Sequence, residues 1–153
     1  MSKLKEDVVV TEINGLPFRY SQPDAIKQKR LSIFMGAMQS LENTLSIRRI
    51  IKETLPEEWD VVGVESAGSG ETGVLPADTS FVEIAGSANQ LLGNELGAQI
   101  NAVLTPSYAG PLGMSMATLE SNAAGHYIYL STRKTLDEAL KHEFEKIDAD
   151  SAV

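Results

Sequence analysis

Two short β-branched or aromatic stretches stand at the beginning of the chain. Residues 8–13 (VVVTEI) and 16–20 (LPFRY) flank Asn14-Gly15. Asn-Gly between two such runs favours a β-hairpin, because a type I′ turn needs positive φ at both central residues. Pro17 cannot donate a ladder hydrogen bond, so we expect the second strand to lie at the edge of a sheet.

A helical period follows Pro23-Asp24. Apolar residues recur at steps of three and four from Ile26 to Leu55, which indicates helix. Asn43-Thr44 favours a division into two helices, because both side chains compete for backbone hydrogen bonds. The second helix is expected to end at Leu55, because the residue before a proline avoids the helical region.

The remaining pattern predicts further strands and helices. We expect strands at 59–66, 81–85, 114–121 and 126–132, the last two forming a hairpin. Ser87 with Gln90, and Thr135 with Glu138, have the spacing of a capping box and predict that a helix follows each serine or threonine.

These elements predict an α+β fold. We expect a mainly antiparallel sheet built of β-hairpins, with three to four helices packed on one face. A single domain is expected over residues 1–147, followed by a polar tail over residues 148–153.

Two glycines interrupt the helix predicted after Ser87. Gly93 and Gly97 lie four residues apart, and a glycine inside a helix costs about 1 kcal/mol against alanine. We therefore expect another backbone close to this stripe. It belongs either to a strand or helix of the same chain or to a helix of a neighbouring subunit.

Charge is divided unevenly along the 153 residues, whose net charge is −8. No Lys or Arg occurs from Glu53 to Thr132, a span that holds ten acidic residues. The segment before it is rich in cations: Lys27, Lys29, Arg30, Arg48, Arg49 and Lys52. Such asymmetry bears on association with other macromolecules rather than on the fold.

The stretch GSGETG at residues 68–73 matches G-x-G-x-x-G. A dinucleotide site would need a helix directly after the glycines, whereas the pattern predicts a strand there. Glu71 also puts a negative charge where phosphate would bind. We interpret this stretch as a flexible connection between two strands.

Residues able to carry out catalysis or bind a metal are scarce. The chain has no cysteine, and its two histidines, His126 and His142, lie in unrelated segments. Residues 113–117 (GMSMA) are similar to the nucleophile elbow G-x-S-x-G around Ser115, but they lack the second glycine and precede strand-like sequence. The sequence therefore predicts no catalytic residue, no metal, no cofactor and no enzymatic activity.

The charge division and the glycine stripe favour a non-catalytic assembly subunit that self-associates or docks into a larger complex, for example a ring-forming virion component. One alternative is an acidic inhibitor or immunity-type protein that binds a basic site on a partner. Another is a small-ligand binder or enzyme with a pocket beneath the 66–80 or 105–113 loop. The partner would be a second copy or another protein, with neither a membrane nor sequence-specific nucleic acid involved. The location would be cytoplasmic, or the virion if the protein is viral. The predicted interaction residues are Gly93, Gly97, Lys27, Lys29, Arg30, Arg48, Arg49, Lys52, Glu71 and Asp78.

Overall fold

The structure is a computed structural model that describes residues 6–24, 28–36, 39–66, 68–72, 75, 78–106, 109–130 and 147. Its strands are β1 (Val8–Ile13), β2 (Leu16–Ser21), β3 (Lys29–Phe34), β4 (Trp59–Glu65), β5 (Ile100–Pro106) and β6 (His126–Leu130). Its α-helices are α1 (Leu41–Thr54), α2 (Phe81–Asn94) and α3 (Gly110–Thr118), and a short 3₁₀ helix spans Gly70–Thr72. None of the described helices is long and apolar enough to cross a membrane.

The strands form one sheet in the order β1-β2-β4-β3-β5-β6. β1 and β2 pair antiparallel, as do β2 and β4, whereas β4, β3, β5 and β6 run parallel to one another. The domain is mixed α and β as predicted, but the expectation of a mainly antiparallel sheet was wrong. Parallel neighbours need a crossover connection, and the helices of this chain supply these connections.

The core lies on both faces of the sheet. Val103 of β5 packs in a cluster with Leu91 of α2 and Met116 of α3. Its neighbour Leu104 points to the opposite face and packs in a cluster with Ile51 of α1. The expectation of helices on one face was therefore also wrong, because the central strands bury both of their faces.

The predicted hairpin of β1 and β2 is confirmed. Asn14 and Gly15 have φ values of 53° and 80°, as a type I′ turn requires. β2 is not an edge strand, because it also pairs with β4. That ladder includes only Arg19 opposite Glu65 and Tyr20 opposite Val64, so Pro17 lies outside it and needs no hydrogen bond there.

The helical pattern of residues 26–55 contains a strand and one helix. Residues 29–34 form β3, and α1 begins only at Leu41. The Ser40 side chain accepts the Asn43 backbone N–H, and the Asn43 side chain accepts the Ser40 N–H. Asn43 thus caps the start of α1 instead of dividing a helix, while the predicted end before Pro56 is confirmed.

Two predicted strands are helical. Residues 81–85 belong to α2, whose N-cap is Ser80 and not Ser87, and residues 114–118 belong to α3. The predicted strands at 59–66 and 126–132 correspond to β4 and β6, but β6 pairs parallel with β5 and forms no hairpin with residues 114–121. The helix predicted after Thr135 lies outside the described residues except for Ile147, which is helical and buried.

A buried guanidinium lies between α1 and the sheet. The Arg48 side chain donates to the Thr44 hydroxyl and the Leu41 carbonyl, and it pairs with the Glu6 carboxylate. A Cβ at Gly63 of β4 would lie 2.7 Å from Arg48 Nε. Glycine at this position therefore makes room for the arginine.

We expect Gly63→Ala to lower the free energy of unfolding by about 1–3 kcal/mol, because the added methyl group overpacks this interface. Gly86 of α2 is a matched control, since a Cβ there meets nothing within 4 Å. Gly86→Ala should raise stability by about 1 kcal/mol through helix propensity alone. Chemical denaturation of both variants measures the difference, and equal effects would contradict the proposed steric cause.

α3 approaches β5 closely near the beginning of the helix. A Cβ at Gly113 would lie 2.6 Å from the Thr105 hydroxyl oxygen and 2.7 Å from the Thr105 Cγ2. Thr105 is 1% exposed, and its hydroxyl finds no hydrogen-bond partner in the described part of the chain. In the described part of the chain, the Thr105 side chain is therefore held by close packing against α3 and not by a hydrogen bond of its hydroxyl.

We expect Gly113→Ala to be destabilising and its cost to shrink when Thr105 is changed to alanine, because that change removes the two closest atoms. A double-mutant cycle of urea unfolding should give a coupling of about 0.5–3 kcal/mol in the direction of mutual compensation. Strict additivity would show that α3 relaxes away from β5 without cost.

Candidate active site

Two adjacent parallel strands send their connections in opposite directions. β3 lies between β4 and β5. It continues through α1 to β4, with α1 on one face, whereas β5 continues through α3 to β6, with α3 on the other face. Ligands of open α/β sheets bind at such a switch point, outside the carboxyl ends of the strands. The crevice between the ends of β3 and β5 is therefore the candidate site.

The connection from β5 to α3 is short. Only residues 107–109 separate Pro106 from Gly110. Ser107 and Tyr108 lie outside the described residues, and Ala109 is buried. The sequence from Thr105 to Ala109 is T-P-S-Y-A, with a serine at its centre and small residues two positions away on either side.

The loop from β3 to α1 borders the same crevice, and its described backbone donors are already used. The Met35 N–H donates to the Val64 carbonyl at 2.8 Å. The Gly36 N–H donates to the Gln39 side chain, and the Gln39 N–H donates to the Gly36 carbonyl. The Ser40 N–H donates to the Asn43 side chain.

The Glu65 carboxylate lies at the carboxyl end of β4 and is fully buried. Arg19 Nη1 donates to both of its oxygens, at 2.9 and 3.0 Å. The backbone N–H of Leu41 donates to Oε2 at 2.7 Å, and that of Glu71 donates to Oε1 at 2.8 Å. A buried carboxylate is costly unless it is paired and hydrogen-bonded, and these contacts meet that need.

Arg19 also pairs with Glu42 at 3.0 Å. Burial acts to lower the pKa of Arg19, but the hydrogen bonds and charges of Glu42 and Glu65 outweigh burial and raise that pKa above its ordinary value. The guanidinium therefore remains a permanent counter-charge for Glu65.

The glycine-rich stretch folds against Glu65. Gly70 has a φ of 51°, and a Cβ there would lie 2.3 Å from Glu65 Cδ. The Ser66 carbonyl accepts hydrogen bonds from the Ser69 backbone N–H and from the Ser69 and Thr72 hydroxyls. The stretch precedes a helix and not a strand as predicted, and Gly68 and Gly70 allow Leu75 and Glu65 to pack closely against it.

The cations predicted as an interaction surface are largely paired with acids of the same chain. Arg30 and Asp60 form a buried pair at 3.0 Å, and Lys29 lies 3.7 Å from Glu58. Arg48 pairs with Glu6 and Lys52 with Asp24. Arg49 is exposed, and Lys27 lies outside the described residues. Four of the six cations are therefore close to an acid of the same chain, and their role in an interaction stays a prediction.

The other predicted interaction residues are dispersed. A Cβ at Gly93 would lie 3.7 Å from Ala123 Cβ of the same chain, and Gly97 lies beyond the end of α2, so the two glycines form no stripe inside a helix. Glu71 donates its backbone N–H to Glu65. Asp78 lines a groove of about 600 Å³ beside the β1–β2 turn and α2, away from the described residues of the β3 and β5 loops.

The described histidine, His126, lies away from the crevice. His126 begins β6 and pairs in register with Ala102, which puts it toward the amino ends of the strands, whereas His142 lies outside the described residues. Ser115, the serine of the predicted elbow, lies inside α3 and not at a strand–helix turn. Among the described residues no three His, Cys, Asp or Glu side chains converge as metal ligands.

Ser107 was not predicted, because the elbow motif was required to have glycine at both small positions. The segment that resembled the motif lay around Ser115, eight residues after Ser107. The available signal was a strand pattern ending at Pro106, followed by serine and by Pro111, a residue favoured in the first turn of a helix.

No protein-family model matches the chain, and no curated protein matches it. Solved structures do share its fold. An epoxide hydrolase from Vigna radiata is 12% identical with a TM-score of 0.63, the alignment covering 90% of this chain and 46% of that one. An enantioselective mutant of the Aspergillus niger epoxide hydrolase is 13% identical with a TM-score of 0.67, covering 85% and 36%. An α/β hydrolase fold protein from Chitinophaga pinensis is 20% identical with a TM-score of 0.61, covering 81% and 43%.

These similarities correct the predicted function. The expected structural or virion subunit, and the acidic inhibitor given as its alternative, are wrong, because these three similar structures are epoxide hydrolases or a protein of the α/β hydrolase fold. The chain spans less than half the length of each of these three proteins. At these identities the comparison shows the fold alone, and that fold is the α/β hydrolase fold.

Proposed function

We propose that this chain carries the nucleophile-bearing half of a hydrolase site, with Ser107 as the nucleophile and small carboxylic esters as the substrates. The observation that carries the proposal is the three-residue connection from β5 to α3 at the switch point of the sheet. In α/β hydrolases a nucleophile at this strand-to-helix turn is exposed at the top of the sheet.

The residues around Ser107 support this assignment. The motif G-x-S-x-G needs small residues on either side of the nucleophile because the strand and the helix approach closely. Here Thr105 and Ala109 stand at the glycine positions. Thr105 is accommodated because Gly113 of α3 has no side chain where the threonine lies.

The fold predicts two backbone hydrogen-bond donors for an oxyanion. In this fold they are the backbone N–H of the residue after the nucleophile and an N–H of the loop after β3. The first group belongs to Tyr108. The second belongs to the β3–α1 loop, in which the described N–H groups already have partners: Met35 donates to β4, and Gly36, Gln39 and Ser40 donate within the loop and the start of α1.

The nature of the nucleophile selects the substrate class. A serine oxygen attacks the ester carbonyl carbon while a general base takes the hydroxyl proton, and the carbonyl oxygen becomes the bound oxyanion. The ester C–O bond then breaks, the same proton passes to the leaving oxygen, and the alcohol departs as the acyl-serine forms. Water then attacks the acyl group and releases the acid and the serine. An oxyanion hole and substrate binding alone supply a rate enhancement of about 10³–10⁴ even when the serine is removed, so covalent labelling is the measurement that reports on the serine itself.

We expect Ser107→Ala to abolish covalent labelling by a fluorophosphonate probe, because the label forms on the serine oxygen, and to slow hydrolysis of p-nitrophenyl acetate without removing the residual rate. Ser115→Ala is the matched control, since Ser115 lies eight residues later inside α3, and it should label like the unmodified chain. Mass spectrometry locates the label, and thermal denaturation shows that both variants are folded. Labelling that persists in Ser107→Ala, or an unmodified chain that reacts no faster than free serine, would refute the proposal.

A further inference from the structure

The β3–α1 loop is fastened at both ends to the last two residues of β4. At its beginning the Met35 N–H donates to the Val64 carbonyl at 2.8 Å. At its end the Leu41 N–H donates to Glu65 Oε2 at 2.7 Å. One bond uses the backbone of β4 and the other uses a side chain, so only the second depends on which residue occupies position 65.

The Glu65 carboxylate connects three further parts of the fold at this point. Leu41 is the first residue of α1, where the helix dipole favours a negative charge. Glu71 belongs to the 3₁₀ helix, and Arg19 belongs to β2. The carboxylate is 0% exposed, so water cannot replace any of these partners without a rearrangement of the loop.

We propose that Glu65 is a positioning residue: its carboxylate holds the β3–α1 loop at the distance from β5 at which the loop can donate to an oxyanion. This inference rests on the proposed function for its catalytic consequence, but the anchoring of the loop can be measured without any substrate. Glu65 itself touches no reacting atom in this account.

The same strand offers a matched control. Asp60 lies near the amino end of β4, is 1% exposed and is paired with Arg30 Nε at 3.0 Å. Both residues are buried, charged and paired with an arginine, but only Glu65 contacts the loop that borders the crevice. A general loss of stability should affect both variants, whereas a loss of positioning should affect one.

The experiment compares Glu65→Gln with Asp60→Asn in the full chain. We expect both substitutions to lower Tm, because each removes a buried carboxylate that is paired with an arginine. Arg30 is itself buried, whereas Arg19 keeps its pair with Glu42. Only Glu65→Gln should slow fluorophosphonate labelling of Ser107 and lower kcat for p-nitrophenyl acetate. The expected decrease in kcat is about 10²-fold with KM nearly unchanged, because displacing a donor by about 1 Å has an effect of this size. Glu65→Asp keeps the charge and should recover part of the rate.

Amide hydrogen exchange provides the substrate-independent measurement. Glu65→Gln should accelerate exchange at Gly36, Gln39 and Leu41, whereas Asp60→Asn should leave these amides protected. If Ser107→Ala still labels but this exchange pattern holds, the proposed function fails and the anchoring role stands.

Two outcomes would overturn the inference. One is a loss of labelling in Glu65→Gln that is no greater than in Asp60→Asn at matched Tm. The other is unchanged exchange of the loop amides. If circular dichroism shows that Glu65→Gln is unfolded, labelling and amide exchange are measured on Glu65→Asp instead. Its carboxylate is one methylene shorter and cannot reach all of the present partners, so this variant also tests the anchoring of the loop.

Discussion

The burial of β3, β4 and β5 on both faces is the constraint from which the rest of this structure follows. A parallel strand that is buried on both sides needs a helix on each face. The chain meets this need by sending the connection from β3 to one face and the connections from β4 and β5 to the other. The crevice between β3 and β5 is the direct result of that divergence, and the candidate site therefore arises from the packing of the sheet.

The sequence allowed prediction where a local signal was strong. Asn14-Gly15 identified the first hairpin, and Leu55-Pro56 identified the end of α1, because backbone dihedrals alone decide both features. β4 was also expected, as its β-branched run is bounded by turn residues. None of these predictions required knowledge of the neighbouring strands.

Prediction failed where burial on both faces removes periodicity. KRLSIF of β3 has apolar residues that serve opposite faces of the sheet, and its spacing coincided with a helical period. The start of α2 was predicted to be a strand, although Ser80 and Glu83 have the spacing of a capping box. In the structure the Ser80 side chain accepts a hydrogen bond from the Glu83 N–H. With two strands missed, β3 and β5, and two added, the inferred pairing became antiparallel, and the strand–turn–helix at Ser107 could not be recognised.

The pairing between β2 and β4 has a consequence for partial unfolding. The β1–β2 hairpin joins the rest of the sheet through two residue pairs only, aided by hydrogen bonds from Asn14 to Ser87 and Gln90 of α2. The hairpin also buries Leu16 and Phe18 in the core cluster that contains α2, so its local opening would expose apolar surface as well as break the two residue pairs. When the hairpin detaches, Arg19 leaves Glu65, and the buried carboxylate loses its counter-charge. Opening at this edge of the sheet would therefore disturb the crevice as well.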